Sequence, residues 1–114
     1  MPGDPRYAQE KLEIALRELV CSEAGLRDRL YNVLIGPLVA LGPDDFPDQE
    51  LSEMYRRFHD EVSRVEATGE EGDFKATILR MDMDEVKRHL VTVVGLYEGV
   101  MRATGGDPWK ARSA

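Results

Sequence analysis

Residue types that could build a disulfide scaffold or a metal centre are scarce in this chain. Cys21 is the single cysteine among 114 residues, so no internal disulfide can form, and such cysteine usage suits a reducing compartment. His59 and His89 are the only histidines, which rules out a three-histidine zinc site. Glu85 and His89 share a helix face, but the Glu-x-x-His spacing of di-iron bundles is missing. We therefore expect neither a metal nor another cofactor.

Basic charge and long apolar runs are also in short supply. The 15 Lys and Arg residues are outnumbered by 22 Asp and Glu residues, which gives a net charge of −7 at pH 7. Because nucleic acids and anionic membranes attract basic surfaces, this balance argues against direct binding to either. No stretch approaches the roughly 20 uncharged apolar residues of a transmembrane helix. Residues 1–11 contain no apolar core of signal-peptide type, so we predict a cytoplasmic location.

The motifs of common catalytic chemistries are missing as well. Nucleophilic catalysis has little to work with, because Cys21 lies at a helix end beside Ser22 and the sequence positions no histidine next to it. The glycines form no phosphate-binding loop, because neither a strand nor a P-loop lysine accompanies them. Adjacent acids such as Asp44 and Asp45 carry little information in so acidic a chain. We assign no catalytic residue, and the sequence favours a non-enzymatic role without deciding the question.

Helical periodicity is what the sequence does contain, and it is clearest in residues 83–104. Asp82 stands at the expected N-cap with Glu85 three residues later, while Gly105 and Gly106 can supply the left-handed geometry that ends a helix. Apolar residues recur between them at steps of three and four, namely Val86, Leu90, Val93, Val94, Tyr97 and Met101. The stripe is widened by Val91, Leu96 and Val100. We therefore expect this helix at the centre of a bundle, with neighbours on more than one side.

The preceding residues show the same periodicity in shorter segments. A first helix should begin at Asp4 and Pro5 and run to about Val20. A second, capped by Ser22, carries its apolar face as far as Leu41. Pro37 should bend or break it near Ile35, and we favour one kinked helix over two short ones. A third amphipathic helix turns inward Leu51, Met54, Tyr55, Phe58, Val62 and Val65, and a short helix over 74–81 follows it.

The whole pattern predicts an all-α protein with one domain. We expect a four-helix-bundle-like domain over residues 1–106, with a kinked second helix and a short extra helix before the long last one. Residues 107–114 contain turn formers and no periodicity, which predicts a mobile C-terminal tail.

The order of several segments resembles a group of small, uncharacterised bacterial all-helical proteins. The segments are ALRELVCSEAGLRDRL, LGPDDFPDQEL, EEGDFKATILRMDMDEV and a closing GLY. The resemblance implies a single helical domain and a bacterial origin, and it implies no activity.

The loop at residues 42–48, GPDDFPD, is the most distinctive in the chain. Asp44, Asp45 and Asp48 make it acidic, and no basic residue lies between Arg29 and Arg56. Its ordinary role would be to end helix two and cap helix three through Asp45 or Asp48, with Phe46 at the core edge. The alternative is an acidic knob around Phe46 that docks on a basic partner. A second acidic turn at 70–73 should lie at the opposite end of the bundle, which counts against one acidic face that mimics nucleic acid.

Three other residues are candidates for an interface. Gly95 and Gly99 are four apart in the last helix, so they can mark a tight contact inside the bundle, a homodimer seam, or simple tolerance of glycine. Trp109, the single tryptophan, can fold back on the bundle or act as an exposed anchor for a partner.

Two functions from different classes remain open at this level. The first is a small acidic cytoplasmic protein–protein interaction or regulatory module, with a homodimer as one option. The alternative is a small-molecule-binding or enzymatic bundle with a pocket near Tyr55, His59, His89 and Tyr97. A polar cavity containing both histidines would favour the alternative, and two histidines far apart on the surface would remove it.

Overall fold

The periodic segments form five α-helices in the computed structural model, which describes residues 5–70 and 72–105. A 3-10 turn, Pro43–Asp45, lies between the second helix and the third. No residue of the described ranges is in a strand, so the predicted all-α fold is confirmed. The predicted cap Asp4, the helix-ending Gly106 and the tail at 107–114 lie outside the described residues. The helices are α1 Pro5–Cys21, α2 Leu26–Ile35, α3 Gln49–Val62, α4 Gly72–Ile78 and α5 Met83–Ala103.

Helix α5 packs against α1, α2 and α3. Its N-terminus is capped as predicted, because Asp82 Oδ1 accepts a hydrogen bond of 2.8 Å from the Glu85 N–H. The Glu85 carboxylate itself reaches Arg64, just beyond α3, with 3.3 Å between Oε2 and Nη2. After the helix, Gly105 adopts a left-handed φ of +86°. Sequence-local signals thus define both ends of α5.

One side of α5 carries no neighbouring helix in the described part of the chain. Leu96 and Val100 are fully buried, as the widened stripe predicts, but the prediction is wrong for Val91, whose exposed fraction is 69%. Helical geometry explains the difference, since two residues at 100° each place Val91 about 200° around the helix from the buried Val93. The central helix is therefore buried on a core face and exposed on its back face.

Helix α2 ends at Ile35, where the sequence predicts a bend or break. Pro37 has no N–H to donate, and the Leu38 N–H reaches back five residues to the Val33 carbonyl at 3.0 Å. The chain continues through turns at 36–40 rather than as the second half of a kinked helix. Ser22 does not cap α2, because its Oγ accepts from the Ala24 N–H and Gly25 is the N-cap residue.

Arg27 links α2 to the end of α4. Its Nη1 donates to the carbonyls of Ile78 and Met81, the latter at 2.7 Å. These carbonyls lie at and just beyond the C-terminus of α4, where a guanidinium is favoured by the helix dipole. This half-buried side chain therefore adds polar contacts to the packing of the buried Thr77 and Ile78, which holds the short α4 against the bundle.

Helices α3 and α5 run antiparallel. Leu51 near the start of α3 lies beside Gly99 near the end of α5, while Arg64 pairs with Glu85 at the other end. The 14 residues of α3 span about 21 Å. The turn at 42–48 and the segment at 63–70 therefore lie at opposite ends of α3. Of the second predicted acidic turn at 70–73, residues 72 and 73 belong to α4 and residue 71 lies outside the described residues.

Candidate functional site

The acidic turn, residues 42–48, is held by its own carboxylates. Asp45 Oδ2 accepts a hydrogen bond of 2.8 Å from the Gly42 N–H, and Asp48 Oδ1 accepts one of 2.8 Å from the Leu51 N–H. Asp48 is thus the N-cap of α3, one of the two roles predicted from sequence. Asp44 and Asp48 are exposed, while Asp45 is half-buried. The turn therefore presents negative charge to solvent from a fixed backbone.

Phe46 anchors the acidic turn to the hydrophobic core. Its side chain is 2% exposed, and its ring centroid lies 4.9 Å from that of Tyr55. This is the ordinary role predicted for Phe46, so the surface of the turn displays carboxylates rather than an aromatic ring.

Tyr55 ties the acidic turn to the segment that follows α2. Its hydroxyl, buried on α3, donates to the Leu41 carbonyl at 2.9 Å and lies 3.3 Å from the Leu38 carbonyl. Burial, with a contribution from the negative charge of Asp45, raises the pKa of Tyr55 to about 12. The phenol therefore stays protonated at neutral pH and remains a hydrogen-bond donor.

A surface cleft of about 460 Å³ opens beside the acidic turn. Its polar side chains come from α3, and its other wall is the start of the turn. The lining residues are Leu41, Gly42, Pro43, Tyr55, Arg56, His59 and Asp60. The arrangement brings a phenol, a guanidinium, an imidazole and a carboxylate around one opening, and Arg56 was not among the sequence-based candidates.

The two histidines occupy different environments. His59 is exposed, with its ring 5.6 Å from that of Phe74 on α4. His89 on α5 is 3% exposed and packs edge-on against Phe58 at 5.9 Å, with its Nε2 3.8 Å from Glu61 Oε2. Neither His89 nor the buried Tyr97 lines the cleft at His59. The structure therefore does not bring the two histidines together in that cleft.

We expect acid to destabilise the protein through His89. Burial lowers the pKa of His89 in the folded state, an effect that the negative charge of Glu61 opposes. The unfolded chain therefore takes up the proton at a higher pH than the folded protein does. The stability linked to His89 is complete above about pH 6.5 and is lost as the pH falls toward the lower folded-state pKa.

Urea unfolding at about pH 7.5 and about pH 5.5 tests this linkage. The loss of unfolding free energy between the two values should be smaller in His89→Gln than in the wild type. His59→Gln, which changes an exposed imidazole, should keep the full loss and serves as the control. An equal loss in all three proteins would contradict the assignment to His89.

Gly95 and Gly99 do not form one continuous seam. A Cβ added at Gly99 would clash with Cδ2 of Leu51, so this glycine accommodates a tight contact inside the bundle. A Cβ added at Gly95 would meet nothing within 4 Å. Trp109, the remaining candidate, lies outside the described residues.

Across residues 5–70 and 72–105, no group of three or more His, Cys, Asp or Glu side chains is placed to hold a metal ion. Within the same ranges, no helix is both long and apolar enough to cross a membrane. Scans against protein-family models, the curated proteins and the solved structures returned no match to this chain.

Proposed function

We propose that this chain is a small acidic cytoplasmic protein–protein interaction or regulatory module that presents the acidic turn to a basic surface of its partner. The observation that supports the proposal is the exposure of Asp44 and Asp48 on a turn whose backbone is held by hydrogen bonds. Both lie on a turn anchored by the buried Phe46 and by the Tyr55 hydroxyl. A preorganised charged surface loses little conformational entropy on binding.

The charge around the acidic turn is consistent with this role. Glu50 and Glu53, in the first turns of α3, are exposed and continue the negative surface. A concentration of one sign of charge accelerates association with an oppositely charged partner and selects against like-charged ones. The partner should therefore use Lys or Arg side chains, and its affinity should fall as salt increases.

Affinity capture from a lysate of the source organism, at low and at high salt, tests the proposal. We expect one stoichiometric partner, identified by mass spectrometry, that is retained at low salt and washed off at high salt. The triple variant Asp44→Asn, Asp45→Asn and Asp48→Asn should lose it, because three charges are removed. Asparagine retains the acceptor oxygens that positions 45 and 48 use, so the fold should be kept.

A second triple variant controls for net charge. Glu23→Gln, Glu66→Gln and Glu70→Gln removes three exposed charges outside the acidic turn and should retain the partner. Equal binding by both triple variants, or equal loss in both, would contradict a role for the acidic turn.

A small-molecule-binding or enzymatic role is the second candidate, and the cleft beside the acidic turn favours it. The cleft is lined by the polar side chains of Arg56, His59 and Asp60, together with Tyr55. If no partner is captured at low or at high salt, the result favours this second role. A ligand that raises the melting temperature of the wild type but not of His59→Ala would then identify it.

A further inference from the structure

The back face of α5 carries an ordered stripe of charged and small residues. Counted along the helix, its members recur at steps of three and four and so share one face. Asp84, Lys87, Val91 and Arg102 are exposed, and Gly95 and Glu98 are half-exposed. In chain order the back-face stripe consists of Asp84, Lys87, Val91, Gly95, Glu98 and Arg102.

The sign pattern of the back-face stripe is complementary to its own reverse. Read forward, the stripe is negative, positive, apolar, small, negative and positive. An antiparallel second copy centred near residue 93 would place its Arg102 opposite Asp84 and its Glu98 opposite Lys87. It would also place its Gly95 opposite Val91. Each charge would meet the opposite sign, and each exposed valine would meet a glycine.

The space at the centre of the back-face stripe suits such a contact. A side-chain atom added to Gly95 meets nothing of its own chain within 4 Å, so another backbone can approach there. Val91, 69% exposed, supplies an apolar side chain for the opposing glycine. A groove of about 230 Å³ lined by Leu19, Leu26, Arg29, Leu90, Val91 and Val94 extends the apolar surface along one edge of the stripe.

We propose that two copies of this chain associate through the back faces of α5, antiparallel and related by a two-fold axis near residue 93. Such an isologous contact uses one patch twice, so the Asp84–Arg102 and Lys87–Glu98 pairs each occur twice. Within one chain Glu98 Oε2 already lies 3.6 Å from Arg102 Nη2, and the dimer would join these pairs into a network. This face is separate from the acidic turn, so failure of either proposal leaves the other standing.

Sedimentation equilibrium of the full chain, from about 1 µM to about 1 mM, tests the dimer. A contact between two helix faces is small for a protein interface, so we expect a dissociation constant in the range of about 10–100 µM. Gly95→Leu should leave a folded monomer across this range, because its side chain occupies the space of the partner's valine. A wild-type protein that stays monomeric at about 1 mM would overturn the proposal.

Charge reversal tests the antiparallel register. Lys87→Glu and Glu98→Lys should each weaken dimerisation by about tenfold, because each places like charges together twice. The double variant should recover most of the loss, since both intermolecular pairs between positions 87 and 98 are restored with their signs exchanged. Arg57→Glu, an exposed reversal on α3, is the matched control and should keep wild-type association. Additive loss in the double variant, or an effect of Arg57→Glu equal to that of Lys87→Glu, would overturn the register.

Replacing two different exposed valines by aspartate tests whether association depends on the back face of α5 in particular. Val91→Asp should abolish association, whereas Val39→Asp, at a valine 61% exposed beyond α2, should leave it intact. Circular dichroism should show that both variants remain helical. Dimerisation that survives Val91→Asp would contradict the proposed interface.

Discussion

Replacing Leu96 by Ala should lower the free energy of unfolding by about 3 kcal/mol. Leu96 is fully buried on the core face of α5, the helix that contacts α1, α2 and α3. The truncation removes apolar surface from the core and leaves a cavity. The cavity persists because close-packed surrounding helices relax only partly around it. Equilibrium denaturation in urea, read from the midpoint at a constant m-value, measures the loss.

The matched control is the same substitution at an exposed leucine. Leu79 follows α4 and is 62% exposed, so Leu79→Ala should change the unfolding free energy by no more than about 0.5 kcal/mol. Both variants should be measured at a low micromolar protein concentration, where association of two copies contributes little to the unfolding free energy. Equal losses at Leu79 and Leu96 would contradict the assignment of the core to the buried face of α5.

The positions of the helices were predictable because their signals are local. The Asp82 and Asp48 caps act on N–H groups three residues away, and apolar spacing along α3 and α5 reports directly which side is buried. For Val91, too, the spacing along the helix carries the information. Counting 100° per residue would have placed it opposite Val93 and on the exposed side of the helix.

Hydrogen bonds between residues far apart in the chain were not predictable in this way. The Tyr55 hydroxyl donates to a carbonyl 14 residues earlier, and Arg27 donates to carbonyls more than 50 residues later. None of these carbonyl acceptors has a side-chain signature, so the sequence does not indicate which donor binds each of them. The end of α2 is intermediate, because Pro37 predicts a break locally while burial of Leu38 and Leu41 depends on tertiary packing.

The candidate site shows the same division between local and tertiary information. The sequence shows which carboxylates the acidic turn contains and allows Phe46 either at the core edge or in an exposed knob, whereas packing against Tyr55 decides for the core. It places His59 and His89 on helices, yet their neighbours, Phe74 and Phe58, depend on how α3 meets α4 and α5. Whether the two histidines share a pocket therefore depends on the direction of each side chain from its packed helix. In this fold only His59 reaches the cleft.

The two glycines of α5 should respond in opposite ways to an added side chain. Gly95→Ala should raise the free energy of unfolding by about 0.5–1 kcal/mol, because alanine favours the helix and the added carbon meets no atom of the chain within 4 Å. Gly99→Leu should lower it by about 2–3 kcal/mol, because the new side chain must displace the buried Leu51.

A double-mutant cycle that combines Gly99→Leu with Leu51→Ala tests whether the loss of stability in Gly99→Leu comes from the contact with Leu51. Leu51→Ala should itself lower the unfolding free energy by about 2–3 kcal/mol, because it leaves a cavity beside Gly99. In the double variant the leucine at position 99 can occupy that cavity, so the combined loss should fall short of the sum by at least about 1 kcal/mol. Strict additivity would show that Gly99 and Leu51 do not constrain each other. A shortfall would show that the two positions share one space, so that the missing side chain at Gly99 makes room for Leu51 between α5 and α3.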